Sequence, residues 1–300
     1  MTATKPRVGA IEMRIWPDAI MRALGAMPLP FLRACGALLG AVLYFLVPSR
    51  RRVVEANLRL CFPDWPAPRQ RQVARQVFIH FAQAWLDRGW LWHAPPAVLG
   101  RRLDVHDPAG VLQQARPTVL FAPHFVGLDA GWTALALQPG LRLSTIYTQQ
   151  SNPAADQWVK AGRSRWGQVT LYARVDGVKQ LIKSMREGVW LYLLPDMNFG
   201  AEESVFVPFY GQPAATVPSL PRFARLAQAR VVPVVTRMTP SGYQVQVLAP
   251  WADYPGEDAV ADTALMNLRL QEFINAMPAQ YFWVHQRFKS RPEGMPAVYD

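Results

Sequence analysis

Residues 118–129 read TVLFAPHFVGLD. Thr118–Ala122 is a short apolar run, the pattern of a buried strand. His124 follows it directly, Gly127 lets the loop bend tightly, and Asp129 falls in the first turn of a helix expected over Leu128–Gln138. An imidazole beside a carboxylate is a ready general base, because the carboxylate fixes the tautomer and stabilises the imidazolium. The bland alternative is a structural histidine and an acid that favours a helix N-terminus.

The same alternation continues outward. Leu141–Tyr147, Val169–Tyr172, Val189–Leu194, Arg230–Thr236 and Tyr243–Leu248 read as strands. Asp156–Trp166, Asp176–Glu187, Pro218–Ala229 and Val260–Ala276 read as helices, with apolar residues such as Val178, Leu181, Ile182 and Met185 at helical spacing. Strands separated by helices imply an α/β fold with a mixed, largely parallel sheet flanked by helices. Sites in such sheets lie beyond the strand C-termini.

Composition narrows the class. The chain has 300 residues and is 51% hydrophobic, which rules out disorder. Two cysteines, Cys35 and Cys61, exclude a disulfide scaffold and a four-cysteine zinc site. No G-x-G-x-x-G, P-loop, G-x-S-x-G or H-E-x-x-H motif is present, which weighs against nucleotide, serine-hydrolase and zinc-protease chemistry.

The net charge is +11, and it is uneven. Residues 1–102 hold 14 Arg and one Lys against five acids, whereas residues 103–300 hold 17 basic and 16 acidic residues. We therefore divide the chain into a basic, membrane-associated helical region, 1–100, and an α/β catalytic domain, 101–300. Within the first lies Phe31–Val47 (FLRACGALLGAVLYFLV), whose one charge is Arg33. As a helix it reaches about 26 Å, short of the roughly 30 Å hydrocarbon core. Pro28 and Pro30 precede it, Pro48 closes it, and Arg50, Arg51 and Arg52 follow. No A-x-A-like cleavage site follows, which argues against a secretory signal. The run reads as a membrane anchor, embedded or marginally spanning, with the arginines on the cytoplasmic side; the alternative is a buried core helix. Gly36 and Gly40 form a G-x-x-x-G, a spacing used in helix pairing. Arg59, Arg69, Arg71 and Arg75, interleaved with Trp65, Phe78 and Trp85, point to an anionic membrane surface. Nucleic acid is the rival partner, and the adjoining apolar run favours membrane.

Three further polar positions fall at predicted strand ends. They are Arg174 after Leu171-Tyr-Ala, Asp196 after Leu194-Pro, and Pro233 within Val231-Val-Pro-Val, where a proline implies a local break or an edge strand. Alone, these read as a surface arginine, a turn aspartate and an edge proline. His80, His93 and His106 read as structural.

Together, the order and spacing of these positions resemble the four motifs of the glycerophospholipid acyltransferase superfamily. The likeness is closer to the bacterial lipid A biosynthesis (late) acyltransferases. It rests on Arg51–Pro63 (RRVVEANLRLCFP), the APHF–GLD segment, Leu193–Gly211 (LLPDMNFGAEESVFVPFYG) and Trp283–Pro296 (WVHQRFKSRPEGMP). The resemblance implies an acyltransferase sandwich with an N-terminal membrane-associated region. It implies a reaction in which an acyl chain moves from acyl carrier protein to a hydroxyl of a Kdo-lipid A precursor at the inner membrane, cytoplasmic face. It implies His124 as general base with Asp129 as its partner, and Arg163, Arg174 and Asp196 as substrate-binding residues. A thioester is already activated, so neither a metal nor a cofactor is expected. Competing readings are transfer to another lipid, such as a lysophospholipid or glycolipid, and a non-catalytic membrane- or nucleic-acid-binding protein.

Overall fold

The computed structural model describes residues 19–173 and 177–299. Its first part is helical: α1 (described over 19–26), α2 (Leu29–Leu46), α3 (Pro48–Cys61), α4 (Ala67–His93) and α5 (Pro96–Arg102). Proline stands in the first turn of α2, α3, α4 and α5, where its missing N–H costs no intrahelical bond. There follow β1 (Leu103–His106), β2 (Thr118–Phe121), α6 (Leu128–Ala136), β3 (Arg142–Tyr147), α7 (Pro153–Arg163) and β4 (Gln168–Ala173). Next come α8 (Val178–Arg186), β5 (Trp190–Leu193), β6 (Val205–Phe209), β7 (Gln212–Thr216), α9 (Ser219–Ala227), β8 (Arg230–Thr239), β9 (Gly242–Val247) and α10 (Ala259–Ala276).

Seven strands form one sheet in the order β1-β9-β8-β2-β5-β3-β4, parallel throughout except for the β8–β9 pair. The fold is the mixed, mostly parallel α/β sandwich that the alternating pattern implies. The strands are apolar on both sides because both sides are covered. Val119, Phe121, Leu191, Leu193 and Val231 face α8, α9 and α10 through Leu181, Phe223 and Leu270. Leu120, Trp190, Tyr192, Val232 and Val234 face the other way, with α6, α7 and α4, through Leu135, Val159 and Trp90. The N-terminal helices contribute to both layers, Leu29 and Leu32 to one and Val54 and Leu58 to the other.

Two departures from the sequence pattern have clear causes. Pro233 is not on an edge: β8 lies between β9 and β2. The proline sits where the ladder to β2 ends at Phe121 and the ladder to β9 begins at Val234, so its missing N–H falls at the changeover. β6 and β7 form a separate two-stranded hairpin that Pro208 and Pro213 hide from a pattern reading. Its turn, Tyr210-Gly211, has φ of 50° and 72°, as a two-residue type I′ turn requires.

Helix α2 is long and apolar enough to cross a membrane by length and composition. One stripe of it, Leu29, Leu32, Gly36, Gly40 and Tyr44, is buried. The glycines let α4 come close: a Cβ at Gly40 would lie 2.5 Å from the Ile79 Cα, and one at Gly36 would lie 2.8 Å from the Gln83 Cα. Arg33 does not face outward. Its guanidinium pairs with buried Asp87 at 2.9 Å, and the same carboxylate accepts from Tyr243 (2.7 Å) and Trp90 (2.9 Å). The opposite face is apolar and exposed, with Leu38 at 69% and Leu46 at 71% beside Phe31, Val42 and Phe45.

Candidate active site

Strand register builds the centre of the site. Phe121 of β2 pairs with Leu193 of β5 in parallel, and three residues further on the chains reach His124 and Asp196 on the same edge of the sheet. The His124 Nδ1 lies 2.7 Å from Asp196 Oδ1, and the His124 backbone N–H donates to Oδ2 at 3.0 Å. The Tyr281 hydroxyl donates to that same oxygen at 3.0 Å. Asp196 is fully buried, while the His124 side chain is 20% exposed. Burial opposes the charge on Asp196. The adjacent imidazole, the His124 N–H and the Tyr281 hydroxyl outweigh it and hold the carboxyl below its ordinary range. The C-terminal segment clamps the histidine loop: Phe125 bridges to Tyr281, and the Phe282 N–H donates to the His124 carbonyl at 2.9 Å.

Asp129 has a different place from the one its spacing implies. It is not the hydrogen-bond partner of His124; Asp196 is. Asp129 is buried between two guanidiniums, accepting from Arg163 Nε at 2.8 Å and from Arg88 Nε at 2.9 Å. Burial opposes its charge too, but Arg163 and Arg88 win and hold the carboxyl below its ordinary range. The Trp132 indole N–H donates to the Arg163 carbonyl at 2.8 Å and fixes the end of α7. The start of α6 is held just as closely, since a Cβ at Gly131 would meet Thr236 Oγ1 at 2.3 Å. Arg174 lies outside the described residues.

His285 supports the aspartate from behind. The Asn198 N–H, two residues past Asp196, donates to His285 Nε2 at 2.9 Å. Burial, then the charge of Arg287, push the His285 pKa down to about 4, so the ring is neutral and able to accept. Asn57 donates to the carbonyls of Trp283 (2.8 Å) and His285 (2.9 Å), and buried Arg287 donates to Ala215 O and Thr216 Oγ1 at 2.6 Å each. His80 is half-buried, with Nδ1 at 3.1 Å from the Ala279 carbonyl, and His106 pairs with Asp104 on the surface. Cys61 is buried and its thiol is pushed up by that burial, the reverse of an activated nucleophile.

Arg88 and Tyr281 escape a sequence reading. Arg88 lies 41 positions before Asp129 on a different helix, with no local signal. Tyr281 stands just ahead of the Trp283–Pro296 motif, and that adjacency is the one pointer to it.

A cavity of about 840 Å³ opens beside these groups. His124, Asp129, Arg163 and Tyr147 are among its polar lining, and Tyr172, Val178, Leu181, Leu193, Val217 and Phe223 among its apolar lining. The site thus joins an oriented imidazole, a cation-rich corner and an apolar chamber.

Residues 12–290 match the family model for bacterial lipid A biosynthesis acyltransferase. The lipid A biosynthesis lauroyltransferase of Escherichia coli (strain K12) is 32% identical over 280 residues, covering 91% of this chain and 90% of that one. The lipid A biosynthesis myristoyltransferase of the same organism is 30% identical over 281 residues, covering 92% and 86%. Among solved structures, the 1-acyl-sn-glycerophosphate (LPA) acyltransferase of Thermotoga maritima aligns over 81% of this chain and 96% of that one, with a TM-score of 0.37 and 12% identity. With the family model spanning nearly the whole chain, and with relatives matched along most of their own length, this protein belongs to the bacterial lipid A biosynthesis acyltransferases.

Proposed function

We propose that this chain moves a fatty acyl group from an acyl carrier protein thioester to a hydroxyl of a Kdo-lipid A precursor, with His124 as general base. The observation that carries the reading is the His124–Asp196 pair beside a cavity with a large apolar lining. With Nδ1 turned to Asp196, His124 Nε2 is the nitrogen left to take the proton of the acceptor hydroxyl. The hydroxyl oxygen bonds to the thioester carbon, the carbon–sulfur bond breaks, and the imidazolium returns the proton to the departing thiolate. Asp196 stabilises the imidazolium in between. It takes the part that spacing alone gives to Asp129, whose task is to hold Arg163 and Arg88. Arg163 meets the phosphorylated acceptor, since a guanidinium pairs well with phosphate. The acyl chain lies along Tyr172, Val178, Leu181 and Phe223. The thioester is already activated, so this route needs no cofactor.

The exposed face of α2 rests in the cytoplasmic leaflet of the inner membrane, next to Arg50, Arg51 and Arg52. It lies on the bilayer rather than across it. A spanning α2 would pull Arg33 from buried Asp87 and would strip the packing of Gly36 and Gly40 on α4.

The test is a transfer assay with matched acyl groups on acyl carrier protein and on coenzyme A, with a Kdo-lipid A precursor as acceptor. Carrier-dependent acylation of the lipid is expected. A wild-type protein that acylates no lipid from either donor would overturn the reading.

A further inference from the structure

We propose that the outer face of α4 is the landing surface of the phosphorylated lipid acceptor, with Arg88 as its phosphate contact. This rests on the acyl-transfer reading above and adds where the lipid enters and which residues it meets first. Phe81, Trp85 and Arg88 are spaced i, i+4 and i+7, so they stand in one row along the helix. Phe81 and Trp85 are large aromatics left exposed. The Phe81 ring lies 5.7 Å from the Phe282 ring, and the Phe282 ring lies 6.2 Å from His124. Phe282 also lines the cavity, so an aromatic track runs from the surface to the base.

At the other end of the row the charge is unbalanced. Arg88 and Arg163 share the single carboxylate of Asp129, which leaves one net positive charge. Arg163 faces the cavity and Arg88 reaches Asp129 from α4. Apolar contact first and cation beyond it is the order of an amphiphile entering from a bilayer, with chains on Phe81 and Trp85, phosphate at Arg88 and hydroxyl near His124. The phosphate of the donor's prosthetic arm is the rival anion. A soluble carrier has no use for the exposed aromatic row, and that favours the lipid.

The experiment measures KM separately for the phosphorylated lipid acceptor and for the carrier thioester, in wild type, Arg88→Met and the double variant Phe81→Ser/Trp85→Ser. Arg88→Met is expected to raise the acceptor KM by about tenfold to a hundredfold, the range for losing a hydrogen bond to a charged group, with the donor KM unchanged. The double variant is expected to raise the acceptor KM as well. It leaves the Arg88–Asp129–Arg163 cluster intact, so its result stands even if Arg88→Met disturbs folding. An unchanged acceptor KM in both variants would overturn the proposal. So would a rise in the donor KM alone, which would assign Arg88 to the donor's phosphate. Absence of transfer by the wild type would instead overturn the acyl-transfer reading itself.

Discussion

His124 and Asp196 sit at the same distance beyond paired residues, Phe121 and Leu193, and their side chains meet at 2.7 Å. The pair is a product of sheet register. Parallel neighbours deliver their C-terminal ends to one edge, so a residue three past each strand end finds its counterpart across the gap.

This relationship separates two aspartates. Asp196→Asn is expected to lower kcat by about 10²–10⁴-fold, the worth of an oriented general base, with little change in KM. Asp129→Asn is expected to act chiefly on acceptor KM, because its partners are Arg88 and Arg163. Steady-state kinetics with each substrate varied separates the two. An Asp129→Asn variant with the larger kcat defect and an unaffected KM would restore Asp129 as the partner of His124.

Acid stability follows from His285. Its folded pKa is about 4, below the ordinary value of 6.5. Below pH 6.5 the unfolded chain binds a proton that the folded chain refuses until about pH 4. Stability therefore falls as pH drops through that window, by at most a few kcal/mol. Asp129 and Asp196, both held low, act with the same sign: their contribution is present above the ordinary carboxylate pKa and is lost as pH falls towards their depressed values. His285→Gln, whose amide oxygen still accepts from Asn198, should flatten the decline between pH 6.5 and 4. Urea midpoints across that range measure it, and parallel curves for wild type and variant would contradict the assignment.

Packing of α2 gives a stability prediction. Gly40→Leu places a side chain where the Ile79 Cα and the Phe78 carbonyl stand 2.5 Å from its first atom. The cost is about 1–3 kcal/mol or more, as for overpacking elsewhere. A thermal melt equal to that of the wild type would show that α2 does not pack on α4 as described.

Chain-length choice is expected to respond to the apolar lining. Val178→Phe shortens the chamber, so kcat/KM for the longest accepted acyl chain should fall about tenfold or more relative to one two carbons shorter. Competition between carrier thioesters of different length reads this directly, and an unaltered ratio would place the chain elsewhere.

Much of this architecture is legible in the sequence, for physical reasons. Every strand and helix read after residue 117 appears within three residues of its expected bounds, because fully buried strands and amphipathic helices leave strong apolar patterns. His124 stands out for the same reason, as a polar group directly after a buried strand. Its partner does not. Spacing along one chain favours the nearby Asp129, whereas the pairing of β2 with β5 brings in Asp196 from 72 residues away. Arg88 is hidden for a like cause, since a cation on an amphipathic helix looks the same whether it meets water or a buried carboxylate. The single charge of the apolar run, Arg33, is explained only once Asp87 is seen beneath it.

The central claim is that His124, oriented by Asp196, drives acyl transfer to a lipid A precursor. The most direct measurement is single-turnover transfer from acyl carrier protein thioester, followed by the mass of the lipid, for wild type and His124→Gln. The account predicts a lipid heavier by one acyl chain with wild type, and the same product formed about 10²–10⁴-fold more slowly with a folded variant. Equal rates from the two proteins would contradict it.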